Sequence, residues 1–100
     1  MQDSEILTEV KTILKAHLPE LKRKFPISEM ALFGSVTRDD FDSKNSDIDI
    51  FIDFNGRIGI EFCDLVDDLE AILHRKVDVV TKKGLKPRHW EYLKDRLRYV

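Results

Sequence analysis

The run Asp47-Ile48-Asp49-Ile50-Phe51-Ile52-Asp53-Phe54 alternates cleanly between two kinds of side chain, and that period belongs to a β-strand. Successive strand residues leave opposite faces, so Ile48, Ile50, Ile52 and Phe54 share one face and Asp47, Asp49, Phe51 and Asp53 share the other. The expectation is a strand with one apolar face against a core and one largely acidic face. Asp47 and Asp49 leave the acidic face with α-carbons roughly 6.6 Å apart, near enough for both carboxylates to reach one cation. Asp53 shares that face roughly 13 Å beyond Asp49 and reads as a solvated or salt-bridged edge residue.

The flanking segments supply the partners this strand needs. Ile6, Leu7, Val10, Ile13, Leu14, Leu18 and Leu21 form a helical stripe that Asp3 or Ser4 can cap. Phe25-Pro26 breaks that pattern, because the residue before proline is pushed out of the helical region. Met30-Ala31-Leu32-Phe33 then reads as a short buried strand ended by Gly34. After Asn55-Gly56, a second helix carries Ile60, Leu65, Val66, Leu69, Ile72 and Leu73, with Asp64, Asp67, Asp68 and Glu70 on its other face.

Val77-Asp78-Val79-Val80 reads as a third strand, and Pro87 suits the first turn of a last helix with Trp90, Leu93 and Leu97 as its buried stripe. Helix, strand, loop, strand, helix, strand, helix indicates one small α/β (α+β) domain, a mixed sheet with helices packed on one face. The unit from Asp47 to Val80 is expected to be a right-handed crossover joining parallel strands.

One hundred residues, 42% apolar and 36% charged, describe a globular domain too small for a separate acceptor-binding domain. A net charge of -2 argues against general nucleic-acid binding, and Lys82, Lys83, Lys86, Arg88, Arg96 and Arg98 read as a solvated basic face. No segment matches a secretory signal or the ~18 apolar residues of a membrane span, so a cytoplasmic protein without a membrane partner is expected. Cys63, the single cysteine, reads as a small core residue. His17, His74 and His89 have no zinc-like spacing and read as surface or helix-end residues.

Parallel strands joined by a crossover align their starting ends, which brings Asp78 beside Asp47 and Asp49 if the two strands are neighbours. Three carboxylates in one place repel one another unless cations or protons join them. Mg²⁺, which favours a few carboxylates plus phosphate oxygens, is the natural occupant. Just after the preceding strand, Gly34-Ser35 offers backbone N–H groups to a phosphate without Cβ obstruction. Arg38 can add a charge-assisted bond to the same anion.

Together these residues make one ordered pattern, G-S-x-x-R-x7-S-D-x-D, followed by a strand bearing Asp78. The pattern resembles the minimal nucleotidyltransferase (MNT) members of the DNA polymerase β-like nucleotidyltransferase superfamily, over nearly the whole chain. The resemblance implies that Gly34 and Ser35 hold the triphosphate of ATP and that Arg38 helps bind phosphate or orders the loop. It also implies that Asp47 and Asp49 ligate Mg²⁺ and that Asp78 is the third catalytic and metal-binding carboxylate.

Stand-alone domains of this kind are commonly antitoxins that transfer AMP onto a HEPN-type toxin, and that activity is the leading expectation. One departure is Asp39-Asp40 directly after Arg38, where the family often has a small residue. These added carboxylates motivate a rival expectation, an antitoxin scaffold with a weak or idle site that acts by binding alone. Transfer to a small molecule such as an aminoglycoside ranks below both. The acceptor, the preferred base and homo-oligomerisation are open at this level.

Overall fold

The computed structural model describes residues 5–38, 41–42 and 45–100. Helix α1, Glu5–Lys24, buries Leu7, Val10, Leu14 and Leu21 as one stripe. Its expected cap, Asp3 or Ser4, lies outside the described residues. Pro19 sits within the helix on its exposed side, where the missing N–H removes one helical bond and no core contact. The helix stops ahead of Phe25-Pro26 as expected, and Phe25 N–H closes its last turn on Leu21 O at 2.9 Å.

Strand β1, Ile27–Phe33, starts sooner than the apolar run suggests, because exposed Ser28 and Glu29 sit at a register irregularity. A 3-10 turn follows at Gly34–Thr37. Strand β2 is Ile48–Phe54, helix α2 is Glu61–Leu73 and strand β3 is Val77–Thr81. Helix α3, Pro87–Leu93, begins at Pro87 as expected, and strand β4, Arg98–Tyr99, follows it. Two residues are too few for an alternation to register, so the sequence gives no sign of β4.

The sheet order is β3-β2-β1-β4. β2 and β3 are parallel, as the crossover requires, while β1 runs antiparallel to both β2 and β4. Met30, Leu32, Ile48, Ile50 and Ile52 form the face that buries the stripes of α1 and α2. The expected mixed α/β architecture is therefore present.

The opposite face is less acidic than the alternation implies. Phe51 is fully buried there with Ala31, and Leu93, Leu97 and Trp90 cover them. α3 thus lies across the sheet from α1 and α2, whereas the sequence had all helices on one face. The cause is a single aromatic among aspartates: Phe51 stacks on Trp90 with ring centroids 5.6 Å apart. Leu97 reaches this core from beyond the end of α3 and not from within it.

Two side chains of the second helix also differ from expectation. Ile60 is the N-cap of α2 and is 87% exposed, so it precedes the buried stripe. Cys63 is exposed. It sits two positions before buried Leu65, roughly 200° around the helix, which turns it away from the sheet. No helix is long and apolar enough to cross a membrane among the described residues.

Candidate active site

Asp49 and Asp78 are register partners across the parallel β2–β3 pair. Side chains paired in this way leave the same face of strands roughly 4.8 Å apart. Asp47 is exposed and stands one residue ahead of β2, whose first N–H, that of Ile48, donates to Lys76 O at 3.0 Å. That bond ties the start of β2 to the residue preceding β3. The three carboxylates therefore belong to one end of the sheet.

The turn meets them there. Phe33 pairs with Asp49 across β1 and β2, and Gly34 follows at once with φ of 75°. A Cβ built on Gly34 would lie 2.0 Å from Asp49 Oδ2, so the turn backbone is packed directly on the carboxylate. Glycine is required twice over here, for the left-handed backbone and for the close approach. The turn is closed by Thr37 Oγ1 donating to Gly34 O at 2.7 Å and by Arg38 N–H donating to Ser35 O at 3.0 Å.

The electrostatics at Asp49 tie the cluster together. Burial pushes the Asp49 carboxyl above its ordinary pKa, Asp78 and Asp47 push it the same way, and Arg38 opposes them. The other three charged residues singled out in the sequence, Asp47, Asp78 and Arg38, thus act on this one half-buried group. Asp53 lies toward the far end of β2 opposite Glu29, remote from the cluster. Asp39 and Asp40 lie outside the described residues.

This donor set fits a hard divalent cation. It offers carboxylate oxygens only, and their mutual repulsion is what a doubly positive ion relieves. Among the described residues no three of His, Cys, Asp and Glu converge on one point. The strand register sets Asp49 and Asp78 side by side, and their like charges keep the carboxylates from converging.

Beside the cluster a cavity of about 560 Å³ opens between the turn and α3, with Gly34, Thr37 and Arg38 at one end and His89 and Tyr92 contributed by the helix. The sequence reading missed the α3 residues because it considered that helix only for its buried stripe. The available signal was Tyr92, an aromatic lying off the stripe of Trp90, Leu93 and Leu97.

Residues 14–100 match the family model of the nucleotidyltransferase domain. The chain belongs to the nucleotidyltransferase domain family. This nucleotidyltransferase domain is 40% identical over 81 residues to protein adenylyltransferase MntA of Thermococcus cleftensis, across 80% of this chain and 81% of that protein. A solved structure described as a minimal nucleotidyltransferase matches it with a TM-score of 0.77 at 28% identity, covering 96% of this chain and 97% of the other.

The same fold recurs in a complex of a tri-AMPylated Shewanella oneidensis HEPN toxin with an MNT antitoxin. There the TM-score is 0.57 at 19% identity, over 94% of this chain and 67% of the matched one, a likeness that bears on the fold alone. The domain is thus a nucleotidyltransferase of the minimal type, as the glycine-serine and aspartate pattern implied.

Proposed function

We propose that this domain transfers AMP from ATP, with Mg²⁺, to a hydroxyl of a partner protein, acting in the cytoplasm as the antitoxin of a HEPN-type toxin. The observation that carries the reading is the packing of Gly34 on Asp49 while Asp49 is paired in register with Asp78. A phosphate-approaching backbone and a carboxylate cluster then occupy one place, which is the arrangement phosphoryl chemistry requires.

The roles follow from position. Gly34 and Ser35 would cradle the triphosphate, and Arg38 would add a charge-assisted bond to it. Asp47, Asp49 and Asp78 would hold the metal. Bound Mg²⁺ supplies charge stabilisation for the attacking and leaving oxygens. Asp78, exposed and carried on the strand that ends the sheet order, is suited to take the acceptor's proton. The acceptor oxygen bonds to the α-phosphorus as the bond to pyrophosphate breaks, and the hydroxyl proton passes to the carboxylate.

Support for a protein acceptor comes from the Thermococcus relative, which is named a protein adenylyltransferase. Support for the class of partner comes from the Shewanella complex, in which an AMPylated HEPN toxin is bound to an MNT antitoxin. The test is transfer of label from radioactive ATP to a co-purified helical partner. The double variant Asp47→Asn, Asp49→Asn is expected to abolish labelling, and full labelling by it overturns the proposal. A scaffold acting by contact alone would neutralise the partner with no labelling even in the wild type.

A further inference from the structure

We infer that the cavity between the Gly34–Thr37 turn and α3 receives the nucleoside of the donor, with the Tyr92 ring as its stacking surface. The inference rests on the nucleotidyl-transfer reading above and assigns a part of the donor that the phosphate and metal residues do not touch. The cavity is lined by neighbours of the carboxylates: Phe33 is the register partner of Asp49, and Val80 follows Asp78 by two residues on the same face of β3. Its near end carries Gly34 and Arg38. A nucleotide with its phosphates at that end extends its sugar and base into the cavity.

The lining suits a heterocycle. Phe33, Val80, Leu85 and Leu93 give it apolar walls, and its volume of about 560 Å³ is ample for a nucleoside. Tyr92 is 63% exposed, unusual for so large an apolar ring. It is steadied by a cation and not by the core, since the Arg96 guanidinium lies 3.9 Å from its centroid and donates to Tyr92 O. A ring held in this way beside a cavity is a platform on which a base can stack. Asp95 lines the same cavity and can accept a bond from a ribose hydroxyl or a base amine.

The test is calorimetric titration of the full chain with ATP and, separately, with inorganic tripolyphosphate, each with Mg²⁺. Tyr92→Ala is expected to weaken ATP binding about fivefold or more and to leave tripolyphosphate binding unchanged. Tyr92→Phe, which keeps the ring, is expected to bind both as the wild type does. Should Tyr92→Ala lose both ligands through misfolding, Tyr92→Leu keeps the bulk without the π face and carries the same expectation. Wild-type ATP affinity in Tyr92→Ala or Tyr92→Leu overturns the nucleoside assignment and leaves the nucleotidyl-transfer reading standing. A rise confined to KM for the protein acceptor gives the cavity to the acceptor and also overturns it. A wild-type chain that binds neither ATP nor tripolyphosphate overturns both.

Discussion

A methyl group at position 34 would sit 2.0 Å from Asp49 Oδ2, on a backbone whose φ of 75° costs an L side chain about 1–2 kcal/mol. Gly34→Ala must therefore shift either the turn or the carboxylate. A displacement near 1 Å at a reacting centre costs on the order of 100-fold. We expect Gly34→Ala to lower adenylyl transfer by about that factor while the protein still folds, as checked by steady-state rates beside a circular dichroism spectrum.

Asp49 itself makes a second prediction. Its pKa is raised in the folded state, first by burial and then by Asp78 and Asp47, so the folded protein holds this proton more tightly than the unfolded chain. The stabilisation is fully present below the ordinary carboxylate pKa and is lost as pH rises through the raised value. In chelator-treated samples, Asp49→Asn should lack that loss and melt higher than wild type at neutral pH, while losing activity if Asp49 has its proposed role. Equal melting temperatures across the pH range would show that the carboxylates do not strain the metal-free fold. The shared strand face of Asp47 and Asp49 was legible from spacing, whereas the placement of Asp78 beside Asp49 needed the crossover argument. Tyr92 stood out in the sequence only as an aromatic off the buried stripe, because its place beside the cavity depends on where α3 lands.

At the level of elements, α3 is held to the sheet by the Phe51–Trp90 ring pair together with Leu93 and Leu97. Trp90 stacks on Phe51 at 5.6 Å and carries Lys82 over its own ring at 4.7 Å, so it bolts the helix to the sheet face that also bears the carboxylates. Trp90→Ala is expected to cost about 3 kcal/mol in urea unfolding, the low end for a buried aromatic because Trp90 is only half-buried. It should also weaken ATP binding by loosening the cavity wall. The elements themselves were readable, since helices and strands announce their periods. What escaped was side. Phe51 sits among aspartates in the alternation, and nothing local says that a distant tryptophan will cover it. Ile60 and Cys63 were misassigned for a related reason: near a helix start, a shift of one or two residues decides which way a side chain turns.

For the molecule as a whole, the ledger of binding is measurable without a partner. A ligand at 100 times its dissociation constant adds about 2.7 kcal/mol, which for a domain of this size raises the melting temperature by about 11–22 °C. ATP with Mg²⁺ should produce such a shift, and the double variant Asp47→Asn, Asp49→Asn should lose the part that depends on Mg²⁺. The absence of any shift at millimolar nucleotide would favour the contact-only scaffold.

Among the described residues β3 ends the sheet order beside β2, and Asp78 on it is exposed. The last of the three acids consequently stands on the flank of the molecule instead of at the bottom of a cleft. A substrate as bulky as another folded protein can bring a hydroxyl alongside it without any part of this chain having to open.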